Sequence, residues 1–283
     1  MFYPELTHAI EEFAAVILPV SERDLERQWT WKDHDEEGIR FAFFVTLQEL
    51  RQLAVNLFTV RMQTTQAHWI LSRYHSQYID LQASILGLTS ENSEREPAKG
   101  EWSVRRVYAH ILTTEINFTA TVRYALEKHR AGVWTPERMS DEDDVRLTGL
   151  NEEEYQKLAY GPLEGMLAYH RGLHSIVIQE FSAITDEELD LPSTFWEETR
   201  FPIRHRLHRF EAHLVQHTVQ IDKTLVMLGL APGEPQRLIR YTYSALADAE
   251  NMMIGQVPVN PMIEATANSI KARTNEIREL LRM

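Results

Sequence analysis

Apolar residues recur with the 3.6-residue period of an α-helix along most of the chain. No alternating apolar and polar segment is long enough to require a β-sheet, and glycine and proline separate the helical runs. The pattern therefore predicts an all-α protein. The expected helices lie at about residues 4–18, 36–60, 66–87, 103–129, 151–184, 202–229, 236–254 and 262–282.

Four of these helices have the order and the lengths of a four-helix bundle. The link at 131–150 is long enough to cross over between parallel neighbours, whereas antiparallel neighbours need only short loops. The helix after this link should begin at Asn151, where Glu154 completes a capping box, and Gly161-Pro162 should break or kink its first turns. The four bundle helices are 66–87, 103–129, 151–184 and 202–229.

The remaining helices are additions at the two ends of the chain. The last one carries an apolar stripe at near-heptad spacing, formed by Ile263, Ile270, Ile277 and Leu281. This stripe could pack on the protein's own core or form a homodimer contact, and the sequence leaves both open. We expect an N-terminal helical extension at 1–65, the four-helix bundle at 66–230 and a C-terminal helical extension at 231–283.

The composition excludes some kinds of chemistry and disfavours some kinds of partner. The absence of cysteine excludes disulfides, thiolate ligands and a cysteine nucleophile, so a metal site would use His, Asp, Glu or water. The formal net charge of -13 disfavours general nucleic-acid binding, which needs clustered Lys and Arg. No stretch reaches the ~20 apolar residues that span a bilayer, and no signal peptide is evident. We expect a cytoplasmic protein with no nucleic-acid or membrane partner.

Three histidines are the candidate metal ligands. His213 and His217 are one helical turn apart, at the edge of the apolar face of their helix, so both rings could reach one ion. His110 has the same edge position on its own helix and is the best candidate for a third ligand. A three-His site would leave one coordination position open for water or substrate, as in catalytic zinc sites.

Other basic residues offer alternatives that the sequence leaves open. His170 and His174 form a second i, i+4 pair in the middle of an apolar face, and could be a rival ligand pair, a pocket wall or packed core. A basic strip that includes His205, His208 and Arg209 is typical of a solvated surface. Its functional interpretation is an anion contact, for example with a substrate carboxylate.

Two stretches of the chain resemble the DinB/YfiT-like family of metal-dependent enzymes. The stretches are GEWSVRRVYAHILTTE and, later, IRHRLHRFEAHLVQHTVQIDKTL. In this family a Trp-Ser turn leads into a helix with one His, and a later helix carries the HxxxH spacing. The residues that match are Trp102, Ser103, His110, His213 and His217.

The resemblance spans roughly residues 66–229 and implies an up-down-down-up four-helix bundle with a long link between its second and third helices. It also implies that the three matching histidines bind zinc or nickel. His170 and His174 match no ligand of the family. The two terminal extensions match nothing in the minimal family domain.

The resemblance further implies an activity. Relatives include transferases that use low-molecular-weight thiols, and a thiol-dependent isomerase, so we expect a small-molecule substrate and activation of a thiol for S-transfer, or hydrolysis by metal-bound hydroxide. Glu115, as a base, and Gln220, as a group that orients a bound ligand, are weak catalytic candidates. His170, His174 and Arg209 are weak substrate-binding candidates. The alternative is a non-catalytic helical bundle that uses metal for stability or serves as an interaction module.

Overall fold

Helices make up nearly all the regular structure of the computed structural model, which describes residues 4–32, 38–62, 64–134, 137–197, 199–256 and 260–282. The predicted all-α class is confirmed. The helices are α1 (Pro4–Ile17), α2 (Arg40–Val60), α3 (Gln66–Ser84), α4 (Ser90–Glu94), α5 (Val104–Arg130), α6 (Asp141–Thr148), α7 (Glu152–Ala159), α8 (Leu163–Phe181), α9 (Ile203–Met227), α10 (Glu234–Asn251) and α11 (Asn260–Arg282). Two short strands, β1 (Pro192–Ser193) and β2 (Phe201–Pro202), pair antiparallel.

The chain folds into two compact units. The first, called the terminal unit, comprises the described residues of Met1–Gln63, Gln82–Gly87 and Ala231–Met283. The second, called the bundle unit, comprises those of Thr64–Leu81 and Leu88–Leu230. Both predicted extensions therefore contribute to a single unit. Among the described residues, no helix combines the length and the apolar content that crossing a bilayer requires.

The bundle unit is built from α3, α5, α8 and α9. Side-chain pairs give the helix directions. Tyr108 and Arg123 of α5 contact His170 and Glu180 of α8, in the same order along both helices, so α5 and α8 run parallel. His110 and Phe118 contact the later His217 and the earlier Phe210 of α9, so α5 and α9 run antiparallel. Because α3 runs antiparallel to α8, with His68 against Ser182 and His75 against His174, the order is up-down-down-up, as expected.

The crossover between α5 and α8 is longer and more ordered than the sequence pattern indicated. The expected helix from Asn151 to Ile184 is two helices, because the Gly161-Pro162 step separates α7 from α8. The capping box at Asn151 is present, but it begins the short α7. Ser140 caps α6 inside the link, where its hydroxyl accepts from the Asp143 amide. The connection between parallel helices therefore carries two short helices.

The terminal unit packs α1, α2, α10 and α11 against one another. Phe13 of α1 meets Phe43 of α2 edge to face, with ring centroids 5.1 Å apart. Ile263, Ile270 and Ile277, the core of the apolar stripe on α11, are fully buried within this single chain. The stripe therefore packs on the protein's own core, and it is not available for the homodimer contact considered above.

A buried arginine links α2 to α11 within the terminal unit. The side chain of Arg273 is fully buried; its guanidinium donates to the Glu49 carboxylate at 2.7 Å and to the Thr46 hydroxyl at 3.1 Å. The guanidinium carbon also lies 5.0 Å from the centre of the Trp31 ring. A buried charge of this kind is tolerated only while its partners remain in place.

We expect Glu49→Ala to lower the free energy of unfolding by about 3 kcal/mol, because it leaves the Arg273 charge buried without its carboxylate partner. Urea-induced unfolding measures this change. Gln48→Ala, at the neighbouring exposed position of α2, is the matched control and should cost less than about 0.5 kcal/mol. Equal, small effects of the two substitutions would contradict the structural role of the pair.

Candidate metal centre

The first two candidate ligands project from the middle of α9. This helix begins after Pro202, whose fixed backbone suits a helix entry, and its apolar face buries Leu207, Phe210 and Leu214. His213 and His217 lie on the edge of that face, one turn apart, with only 5% and 6% of their surface exposed. Their ring centroids are 4.4 Å apart. Helical spacing and burial together thus bring two imidazoles to one place, as the sequence predicted.

The third candidate comes from the first turns of α5. The Ser103 hydroxyl accepts a hydrogen bond from the Arg106 amide and caps the helix. The Trp102 ring, just before this cap, lies edge to face against His110 at 5.6 Å, and the Arg106 guanidinium stacks over Trp102 at 4.7 Å. The Trp-Ser turn therefore does two things: it starts the helix, and it supports the His110 ring.

The three imidazoles converge on one point. Nε2 of His110 lies 3.2 Å from Nε2 of His213, and one ligand nitrogen from each of His110, His213 and His217 can be chosen so that all three lie within 4.8 Å of one another. Two nitrogens that bind one tetrahedral zinc ion at 2.0–2.1 Å are about 3.3 Å apart. The observed separation of His110 and His213 therefore suits a shared divalent ion, and the donor set is one that zinc and nickel accept.

Two of the three imidazoles are held in the uncharged form that binds metal. Burial lowers the pKa of His213 from 6.5 to about 3, and the nearby His217, His110 and Arg209 add to the effect in that order. Burial, followed by His217, also lowers the pKa of His110. At neutral pH these two rings are therefore neutral, so a cation would not have to displace protons from them.

Gln220 orients one of the rings. Its side-chain oxygen lies 2.9 Å from Nδ1 of His217, so it accepts a hydrogen bond from that nitrogen and directs Nε2 of the ring toward the other two histidines. His213 lacks such a support: its buried Nδ1 has no hydrogen-bond partner among the described residues. Gln220 therefore positions the ring of the candidate ligand His217, and its role toward a bound substrate stays a prediction.

A cavity of about 380 Å³ opens beside the three histidines. This volume lies in the range of small-molecule sites. Phe118 and Asn117 of α5 line it together with Phe195 and Trp196, which precede β2. Among the described residues no fourth His or carboxylate joins the three-His group, which is the donor count of a catalytic rather than a closed structural site.

The wall formed by Phe195 and Trp196 was missed by sequence reasoning. These residues lie in an irregular segment between β1 and β2, where no periodicity reveals which side chain faces inward. Arg206, which is 4% exposed, holds that segment through an ion pair with Glu197 and a 3.0 Å hydrogen bond to the Ser193 hydroxyl. Trp196 is 72% exposed in the structure, as tryptophans at binding surfaces often are, but this exposure could not be read from the sequence.

Glu115 and His170 lie in the core of the bundle unit rather than at the cavity. Both side chains are fully buried. Oε2 of Glu115 accepts from the Tyr74 hydroxyl at 2.7 Å and lies 2.9 Å from Nε2 of His170, whose Nδ1 is 2.7 Å from the Tyr108 hydroxyl. The structure therefore does not bring the weak base candidate to the three histidines. Glu115 instead joins three helices through a buried polar network.

His174 belongs to the same core. Its ring stacks on Tyr78 with centroids 3.8 Å apart, and its Nε2 lies 3.2 Å from Nδ1 of His75. Of the three interpretations of the His170–His174 pair, packed core is the one that the structure supports.

In the basic strip, the His205 ring stacks on the Phe201 ring with centroids 4.2 Å apart. Of the candidates from that strip, Arg209 alone lines the cavity.

Removing the Gln220 amide should weaken metal binding. Because groups that hydrogen-bond to ligand histidines typically contribute 10–100-fold to metal affinity, we expect Gln220→Leu to raise the zinc dissociation constant by about tenfold. Competition with a chromogenic chelator measures it. Gln216→Leu, the same substitution one turn earlier on α9, should change the constant less than about threefold. Equal losses in both variants would argue against an orienting role.

Acid should destabilise the bundle unit through His174. Burial, followed by the charges of His75 and His170, lowers its pKa well below 6.5. The unfolded chain therefore takes up a proton below about pH 6.5 that the folded chain does not. As a result, the contribution of the neutral His174 ring to the free energy of unfolding falls by about 2 kcal/mol between pH 7 and pH 5. We expect His174→Gln to remove that part of the pH dependence in urea unfolding of chelator-treated protein. His208→Gln, at an exposed position of α9, controls for the substitution itself. If His174→Gln and wild type lose stability equally, the assignment is wrong.

The comparisons with known proteins agree with this geometry. Residues 73–221 match the model of the DinB superfamily, a segment that contains His110, His213 and His217. Neither the curated proteins nor the solved structures gave a match to the chain. Because the matched segment covers more than half of the chain and coincides with most of the bundle unit, the chain belongs to the DinB superfamily.

Proposed function

We propose that the chain is a metal-dependent enzyme whose His110, His213 and His217 hold one zinc or nickel ion beside a small-molecule cavity. The observation that carries this proposal is the convergence of three imidazoles, two of them buried and one half-buried, at the edge of an open cavity. A metal used only for stability would gain nothing from a vacant fourth position next to such a cavity. The non-catalytic alternative is therefore the less favoured one.

We further propose that the ligand which reacts is a low-molecular-weight thiol. A bound divalent ion supplies a Lewis acid that keeps a thiol deprotonated or lowers the pKa of a water molecule. No described residue that lines the cavity is acidic. Glu115 lies in the core, where its carboxylate accepts a hydrogen bond from the Tyr74 hydroxyl. A hydrolase would benefit from a carboxylate base, whereas a coordinated thiol loses its proton without one. The lining of the cavity thus favours S-transfer over hydrolysis.

The side chains have distinct parts in this reaction. Gln220 and Trp102 hold the rings of His217 and His110 in place. Phe195 and Trp196 wall the cavity and would exclude water from the acceptor substrate. In the transfer, the thiol sulfur forms a bond to an electrophilic carbon, and the leaving group departs with the electron pair of the bond that breaks.

Metal content tests the first part of the proposal. The protein, purified without added metal and then dialysed against zinc, should contain one zinc per chain by elemental analysis. His213→Ala should lose most of it, because two histidines make a weak site, while His208→Ala on the same helix should retain it. Equal zinc content in all three proteins would overturn the assignment of the ligands.

Thiol transfer to 1-chloro-2,4-dinitrobenzene tests the second part. The zinc-loaded protein should accelerate formation of the coloured thioether from a small thiol, with release of chloride. His213→Ala should lose at least about 100-fold of the catalysed rate, since it removes the ion that activates the thiol. A zinc-loaded wild type that gives no rate above the uncatalysed reaction with any small thiol tried would contradict S-transfer while leaving the metal site in place.

A further inference from the structure

Arg209 is placed to act on a ligand of the candidate metal centre. It lies on α9 one turn before His213, so the positions 209, 213 and 217 follow one another along a single face of the helix. Four residues correspond to about 6 Å along the helix axis. The guanidinium carbon is 5.9 Å from the centre of the Phe118 ring, and Arg209 lines the same cavity as the three histidines.

Arg209 differs from two neighbouring arginines on α9 in having no carboxylate partner among the residues that the structure describes. Arg204 pairs with Asp190 at 2.7 Å, and Arg206 pairs with Glu197. In the part of the chain that the structure describes, no Asp or Glu forms an ion pair with Arg209. Its planar set of N–H donors, which matches the two oxygens of a carboxylate, is therefore available to a ligand.

The cavity as a whole favours an anion. Its described lining contains no acidic side chain. A bound divalent ion together with Arg209 would give the cavity a positive charge that no described lining residue balances. The chain has a formal net charge of -13, so this local excess of positive charge runs against the overall composition. Asn117 and Gln216 add side-chain amides to the same lining.

We propose that Arg209 selects ligands that carry a carboxylate, which it binds while another atom of the same molecule occupies the open position at the three histidines. The inference rests on the proposed metal site and narrows its substrate class to small acidic molecules, in particular thiol acids. The guanidinium carbon of Arg209 lies 5.9 Å from the centre of the Phe118 ring, and the centre of the His213 ring lies 5.8 Å from the same point. Because both groups border one aromatic ring, a short thiol acid, such as one of three carbons, is the ligand that we propose.

Two thiols of almost the same size test the proposal. The probes are 3-mercaptopropionate, which carries a carboxylate, and 3-mercapto-1-propanol, which does not. The full-length protein is loaded with Co²⁺ in place of zinc, and each thiol is titrated while the sulfur-to-cobalt charge-transfer absorption is followed. This absorption reports binding at the metal independently of any enzymatic activity.

We expect the cobalt-loaded wild type to bind 3-mercaptopropionate about tenfold more tightly than 3-mercapto-1-propanol, as a charge-assisted hydrogen bond predicts. Arg209→Gln should bring the ratio of the two affinities close to one, and Arg209→Lys should give an intermediate ratio, because it keeps the charge but loses the planar donors. Arg200→Gln, at an exposed arginine outside the cavity lining, should leave the ratio unchanged. Cobalt stoichiometry and the circular dichroism spectrum establish that each variant is folded and loaded.

The outcomes separate this inference from the function on which it rests. Cobalt binding with the same ratio in wild type and Arg209→Gln would overturn the role of Arg209 and leave the metal site intact. A protein that binds no cobalt, or that binds cobalt but neither thiol, would overturn the proposed open metal site and the Arg209 inference together.

Discussion

The antiparallel contact between α5 and α9 is the interaction on which the proposed metal site depends. It places His110 opposite His213 and His217, with two ligand nitrogens 3.2 Å apart. Burial at this contact lowers the pKa of His213 and of His110, so these two rings are uncharged at neutral pH. The bundle unit thus brings together three imidazoles that could hold a divalent cation.

The bundle unit keeps its two groups of polar residues apart. One, at the cavity, contains the three histidines and Arg209. The other is a network in which Tyr74, Tyr108 and His170 meet Glu115, deep in the core. Burial and the neighbouring Glu115 carboxylate raise the pKa of Tyr74, so this tyrosine remains a hydrogen-bond donor. The core network joins α3, α5 and α8, and none of its four residues is among the described lining of the cavity.

Local rules were sufficient to predict some features and not others. Helical period and i, i+4 spacing placed His213 and His217 correctly, and the Ser103 cap was a local signal. The same periodicity placed His110 at the edge of the apolar face of its helix, and the family resemblance strengthened its choice as the third candidate. The cavity wall at Phe195 and Trp196 depends on how Arg206 holds an irregular segment. The packing of both ends of the chain into one unit depends on contacts such as that of Arg273 with Glu49. Pairings of such distant residues leave no periodic pattern in the sequence.

The coordination of the bound ion tests the central claim most directly. X-ray absorption at the zinc edge of the zinc-loaded protein should show three imidazole nitrogens and one further light atom at about 2.0–2.1 Å. Addition of 3-mercaptopropionate should replace that atom by one sulfur at about 2.3 Å. A spectrum with fewer than three imidazoles, or one that the thiol does not change, would contradict an open three-histidine metal centre.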